Sequence, residues 1–253
     1  MKLMQRLLLA LDFGDATHAT VAHAIQLAKA FEAPLILLHV IEYIPYYANY
    51  PYADNGMREI HQHVDEELDE IQKTIEAAGV RVEERVVEVG RSHQVIVRVA
   101  EAKHATAIVM GAGRKSMVER LLAGTTAEKV VHTTHLPVFL HHPGDAETPI
   151  KHLLCAIDLD GSACCTLHTA VTLARMFKAS LKVIHVTPQP APYPNLPDLQ
   201  VEVVDLARQP ALPQAGQTAA ADHDPATVMR QVLQRCDLAG IPFETQILHG
   251  KTP

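Results

Sequence analysis

The chain repeats itself over a long period, and that repeat limits the folds open to it. Residues 6–41 align with residues 152–187 without a gap at an offset of 146, and 13 of the 36 positions are identical. The shared residues include Asp12/Asp158, Phe31/Phe177, His39/His185 and Val40/Val186. Further on, Gly79-Val80 matches Gly240-Ile241, and Val86-Val87 matches Ile247-Leu248. Solenoids and propellers repeat every ~20–50 residues, so a longer period marks a duplicated domain. It divides the 253 residues into a complete copy, 1–146, and a partial copy, 147–253, whose last residue falls where the first copy is near His93.

Hydrophobic periodicity gives each copy its elements. Leu7–Leu11 is a short continuous apolar run, the pattern of a strand buried on both faces. Val21, Ala24, Ile25, Ala28 and Phe31 then recur at helical spacing within 15–32, with Asp15 near the start. A second buried strand over 35–41, an amphipathic helix over 57–78 closed by Gly79, and a third strand over 80–89 follow. Helices over 94–103 and 127–133 alternate with strands over 105–110 and 138–140. Alternating strands and helices predict an α/β fold, a parallel sheet with right-handed crossovers and helices on both faces. The second copy reads as strand 153–157, helix 161–178, strand 181–187, helix 225–239 and strand 242–248. Between them, 188–222 is rich in Pro, Ala and Gln and is expected to be a poorly ordered loop.

Charge and composition exclude several functions. Twenty-two Lys and Arg against 29 Asp and Glu leave a net charge of −7, a field that repels nucleic-acid backbones. No stretch approaches the roughly 18–20 apolar residues of a membrane span. The apolar run after Arg6 ends at Asp12 with no small-residue cleavage site, which favours a core strand over a signal peptide and implies a cytoplasmic protein. Cys155, Cys164, Cys165 and Cys236 match neither a zinc pattern nor a CxxC redox motif, and read as buried or half-buried thiols. Sixteen histidines would gain protons below about pH 6, moving the charge toward zero and lowering solubility on acidification.

In open parallel sheets, ligands bind at the carboxyl ends of the strands. Asp12 closes the first strand there, where it can serve a ligand or close a turn and cap the next helix. His39-Val40 closes the second strand. After the fourth come Gly111-Ala112-Gly113-Arg114, nine residues, and Gly124-Thr125-Thr126 at a helix start. Glycines let backbone N–H groups approach a phosphate, and a helix N-terminus adds its dipole; the same glycines also serve a tight turn. Five of the six tyrosines lie in 43–52, as a lid, a partner surface or a loop packed on its own core. His132 and His135 have helical ligand spacing, and His61, His63, His141 and His142 add to the histidine content, but no carboxylate or Cys completes a metal site. Neither GxSxG nor HExxH occurs, and Gly250-Lys251-Thr252 lacks the upstream glycine of a Walker loop.

This arrangement resembles the universal stress protein family, over 1–142 in full and 150–250 in part. The family's phosphate loop reads G-x-x-G, nine residues, then G-[ST]; the spacing from Gly111 to Gly124 agrees, while Arg114 replaces the second glycine and Gly113 stands one place earlier. The resemblance implies a flavodoxin-like or Rossmann-like sheet in the order 3-2-1-4-5, duplicated here with the second copy incomplete. It implies ATP or a related adenine nucleotide, Mg²⁺ accompanying it, and hydrolysis slow or absent. Asp12 would contact the adenosine and the Val40 backbone the adenine edge, with Gly111, Gly113, Gly124, Thr125 and Thr126 holding phosphates. Arg114 would either supply a cation or close the groove, the latter giving a nucleotide-free interaction protein. It further implies a homodimer through Pro137–His142. A copy without strands 4 and 5 would leave 153–157 at an open edge in need of cover.

Overall fold

The computed structural model describes residues 4–42, 53–112, 126–141, 150–159, 162–188, 199–202 and 224–250. The chain divides into two compact units, Met1–Thr148 and Pro149–Pro253. Each is taken by itself.

In the first unit, β1 (Leu7–Leu11), β2 (Leu35–Glu42), β3 (Val82–Gly90), β4 (Ala107–Gly111) and β5 (Val138–His141) form one sheet in the order β3-β2-β1-β4-β5. Every pairing is parallel. The central strand β1 is apolar because it is covered on both faces: Leu7, Leu8 and Leu9 are fully buried. The edge strand β3 instead carries Glu83, Glu84, Arg85 and Glu88, charges that discourage edge-to-edge association. Helices α1 (Thr17–Phe31), α2 (Ala53–Ala77), α3 (Ser92–Ala102) and α4 (Thr126–Thr133) join the strands. On α2, Val64, Leu68, Ile71 and Ile75 follow the three-and-four spacing of one apolar face, and all are buried. The cluster beneath α3 and α4 joins Leu8, Ile36 and Leu38 to Val95, Ile96, Val99 and Val130. Among the described residues, no helix is long and apolar enough to cross a membrane.

The second unit contains β6 (His152–Ala156), α5 (Ala163–Phe177), β7 (Ser180–Pro188), β8 (Leu199–Glu202), α6 (Pro225–Gln234) and β9 (Phe243–Gly250), with sheet order β6-β7-β9-β8. Two results differ from the sequence reading. The loop expected over 188–222 contains β8, which pairs antiparallel with β9 through Val201–Leu248 and its neighbours. Pro194 and Pro197 precede a segment of only four residues, Leu-Gln-Val-Glu, too short for its alternation to stand out. Helix α6 ends at Gln234 rather than near 239; Asp237 beyond it pairs with Arg175 of α5 at 2.7 Å. The start of α6 follows the rules, with Asp224 accepting from the Thr227 amide at 3.1 Å and Pro225 opening the helix.

The two sheets bury their matching strands differently. In β1, flanked on both sides, Leu8 is fully buried; in β6, at a sheet edge, the repeat-equivalent Leu154 is 65% exposed. Cys155 and Ile157, on the opposite face, pack under α5 and α6 with Leu167, Val183, Met229 and Ile247. Identical residues in matching registers should therefore have unequal weight. Leu8→Ala is expected to cost about 2–5 kcal/mol and Leu154→Ala under ~1 kcal/mol, read as shifts in urea unfolding midpoints. Equal shifts would contradict the burial.

Candidate functional site

At the carboxyl ends of β1, β2 and β4 the first unit opens a cleft of about 700 Å³. That size suits a mononucleotide-scale ligand, since small-molecule sites occupy roughly 300–1,000 Å³. Asp12, Val40, Gly111 and Thr126, far apart in sequence, all line it. Gly113, Arg114, Gly124 and Thr125 lie outside the described residues, as do Tyr43–Tyr52 and His142.

Asp12 is held by its own turn. One carboxylate oxygen, Oδ1, accepts from the Gly14 amide at 3.0 Å and from the Thr17 hydroxyl at 3.5 Å. Oδ2 has no protein partner among the described residues. The turn-closing and ligand-facing roles of this aspartate are thus compatible, one on each oxygen. Helix α1 starts after Ala16, whose side chain makes no cap.

The peptide of Val40 is positioned by strand parity. The Leu7 amide donates to the Pro34 carbonyl and the Leu35 amide to the Arg81 carbonyl, so even-numbered β2 residues point their backbone groups toward β1. Pairing with β1 ends at Leu11–His39, and Val40 is the first even-numbered residue beyond it. Its carbonyl therefore points past the end of β1, into the region the cleft occupies.

His39 fastens the same corner. Its Nδ1 lies 3.0 Å from the Leu11 carbonyl oxygen, an acceptor only, so Nδ1 carries the proton. The ring stacks on Phe13 at 4.3 Å between centroids and an interplanar angle of 16°. Phe13 itself adopts φ 53°, the left-handed region, where a non-glycine residue is uncommon. Stacking and the imidazole bond thus stabilise a strained turn that aims Asp12 at the cleft. In the second unit, His185 Nδ1 lies 2.9 Å from the Ile157 carbonyl oxygen, the same contact in the matching register.

On the far side, Gly111 ends β4 and Thr126 opens α4. The Ala112 amide donates to the His141 carbonyl at 2.8 Å and is thereby removed from the backbone donors available to a ligand. Thr126 and Ala127, in the first described turn of α4, stand at the cleft wall, and a helix start leaves amides without intrahelical partners.

Among the described residues, sequence reasoning missed two polar lining residues. Glu42, two residues beyond Val40 on the same face of β2, accepts from the Ser92 hydroxyl at 2.7 Å, and both line the cleft. Strand alternation could have flagged Glu42, whereas nothing local links Ser92 to it. Among the described residues, no group of three or more His, Cys, Asp or Glu could hold a metal ion.

Residues 4–142 match the sequence model of the Universal stress protein family. A universal stress protein of Methanocaldococcus jannaschii is 32% identical over 142 residues, covering 54% of this chain and 82% of that protein. One from Methanothermobacter thermautotrophicus is 30% identical over 141 residues, covering 54% of this chain and 94% of its own length. A solved universal stress protein from Archaeoglobus fulgidus shares the fold over 98% of this chain and 77% of its own, with a TM-score of 0.67 and 21% identity.

Burial pushes the His39 imidazole below its ordinary pKa, partly offset by the Leu11 hydrogen bond and the Asp12 charge. The folded protein thus favours neutral His39. Its contribution to stability is complete above about pH 6.5 and is lost as pH falls toward the folded-state value. His39→Gln should be less stable than the native chain at pH 7.5, with the gap in urea midpoint narrowing toward pH 5.5. A gap independent of pH would contradict this.

Proposed function

The chain belongs to the universal stress protein family, and on that premise we propose that its first unit binds ATP or a related adenine nucleotide with little or no hydrolysis. The observation that carries this reading is the convergence of Asp12, Val40, Gly111 and Thr126 on one cleft. Its electrostatics orient the ligand. Asp12 and Glu42 stand at the β1–β2 side, where carboxylates repel phosphate but accept from hydroxyl and amine donors. The helix N-terminus and the glycine end of β4 stand opposite, where anions are favoured. Adenosine then lies over β1 and β2, and the phosphates, with any Mg²⁺, lie toward Gly111 and Thr126. Among the described residues, the one histidine lining the cleft already donates to Leu11, which suits retention better than turnover.

The second unit is, on the same proposal, a partial copy of the first. Besides the shared histidine contact, α1 and α5 both end on a left-handed residue at matching positions, Glu32 and Lys178. The nucleotide is assigned to the first unit, where Asp12, Val40, Gly111 and Thr126 line one cleft. Homodimerisation through Pro137–His142 completes the proposal: β5 is an outer strand, with Leu140 43% exposed and Val131 on α4 46% exposed.

Calorimetric titration tests the nucleotide. ATP should bind, and Asp12→Ala should weaken it about tenfold, the scale of one hydrogen bond to a charged group. No heat at millimolar ATP would remove the reading, and heat only from Arg114→Gly would identify a nucleotide-free interaction protein with a closed groove. Light scattering tests the interface separately. The native chain should run as a dimer and Leu140→Asp as a monomer, and a native monomer at high concentration would remove it.

A further inference from the structure

The hydrogen bond between Ser92 and Glu42 has no part in the reading above, and its geometry asks for an explanation. Ser92 is the first residue of α3, one place after the N-cap position. The residue before it, Arg91, makes no side-chain cap. The Ser92 hydroxyl is directed across the cleft rim to Glu42 Oε1 instead, 50 residues away in sequence. Glu42 Oε2 has no protein partner among the described residues. A carboxylate fixed through one oxygen, with the other open to a cleft, is an oriented acceptor in need of a donor.

Position identifies the donor. Glu42 and Val40 are two residues apart on β2 and so share a face, and both line the cleft on the side from which Asp12 and Glu42 exclude phosphate. The Val40 carbonyl and the free Glu42 oxygen are two acceptors at one end. A 6-amino group carries two N–H donors and can satisfy both at once. A purine bearing a 6-carbonyl would turn its lone pairs toward both, at the cost of unpaired acceptors. We infer that Glu42, positioned by Ser92, selects the base by accepting from the exocyclic amine of a 6-aminopurine. This rests on the proposed adenine-nucleotide reading and names the residue that would enforce it. Ser92 is then a positioning residue.

The test compares ATP with purine ribonucleoside triphosphate, which differs only in lacking the 6-amino group, by calorimetry on the full chain. The native protein should bind ATP at least about tenfold more tightly, one charge-assisted hydrogen bond discounted for a solvent-exposed rim. Glu42→Ala should narrow the ATP-to-analogue ratio about fivefold and Ser92→Ala about twofold, since the acceptor is removed in one and only loosened in the other. A merely structural pin would weaken both ligands equally and leave the ratio unchanged. ATP binding with the same ratio in all three proteins overturns the inference alone. No ATP binding by the native chain overturns it together with the reading beneath it. Since Glu42 is exposed, unfolding midpoints of the variants should stay within ~0.5 kcal/mol of native, so the ratio is read on folded protein.

Discussion

Everything in the first unit depends on β1 lying between β2 and β4. Its five residues, Leu7–Leu11, pair in parallel on both sides and are apolar because each face is covered by helices. A strand so enclosed cannot slip by one residue without sending Leu8 to the opposite face, so register is fixed. Fixed register places the end of β1 one step short of Val40 and beside Gly111. The cleft is the space left where β1 and β4 stop while β2 runs on to Glu42. The second unit shows the dependence by contrast: without a strand on its other side, β6 becomes an edge and the residue matching Leu8 turns to solvent.

A short chain of contacts transmits that geometry to the site. Leu11 offers its carbonyl to His39, His39 stacks on Phe13, Phe13 takes the left-handed turn, and the turn presents Asp12 with one oxygen tied to Gly14. Each contact is modest, about 0.5–1.5 kcal/mol. Together they leave the aspartate little freedom, the condition for an oriented acceptor rather than a mobile surface charge. The repetition of the histidine contact at His185 assigns that imidazole to architecture.

The strands and helices of the first unit were legible from their periods: the apolar run LLLAL stops at Asp12, as a core strand does, and α2 places buried residues at 64, 68, 71 and 75. Strand order came from the resemblance, as apolar runs do not state their neighbours. Asp12, Val40, Gly111 and Thr126 were legible because carboxyl strand ends and helix starts are sites by topology. Glu42 and Ser92 were not, because their contact joins a strand end to a helix start 50 residues on. Segment β8 was missed for a different reason: it is a strand only because β9 offers an edge, a tertiary effect that four residues cannot signal.

Arg114 acquires a meaning from the charges around it. A cleft with Asp12 and Glu42 on one wall, in a chain of net charge −7, disfavours an anionic ligand. At ~10 Å, each carboxylate opposes each phosphate charge by about 0.4–2 kcal/mol between fully aqueous and surface-like dielectric. One short helix N-terminus, worth about 0.3–1 kcal/mol, does not offset that for a triphosphate. A glycine at 114 would offer room but no charge, whereas Arg114 and Lys115 add two cations directly after the β4 glycines. On the proposed reading, the departure from the family's glycine is therefore a compensation for an acidic cleft. In general, arginine in place of glycine forgoes close backbone approach and offers a guanidinium able to bind phosphate oxygens through two hydrogen bonds.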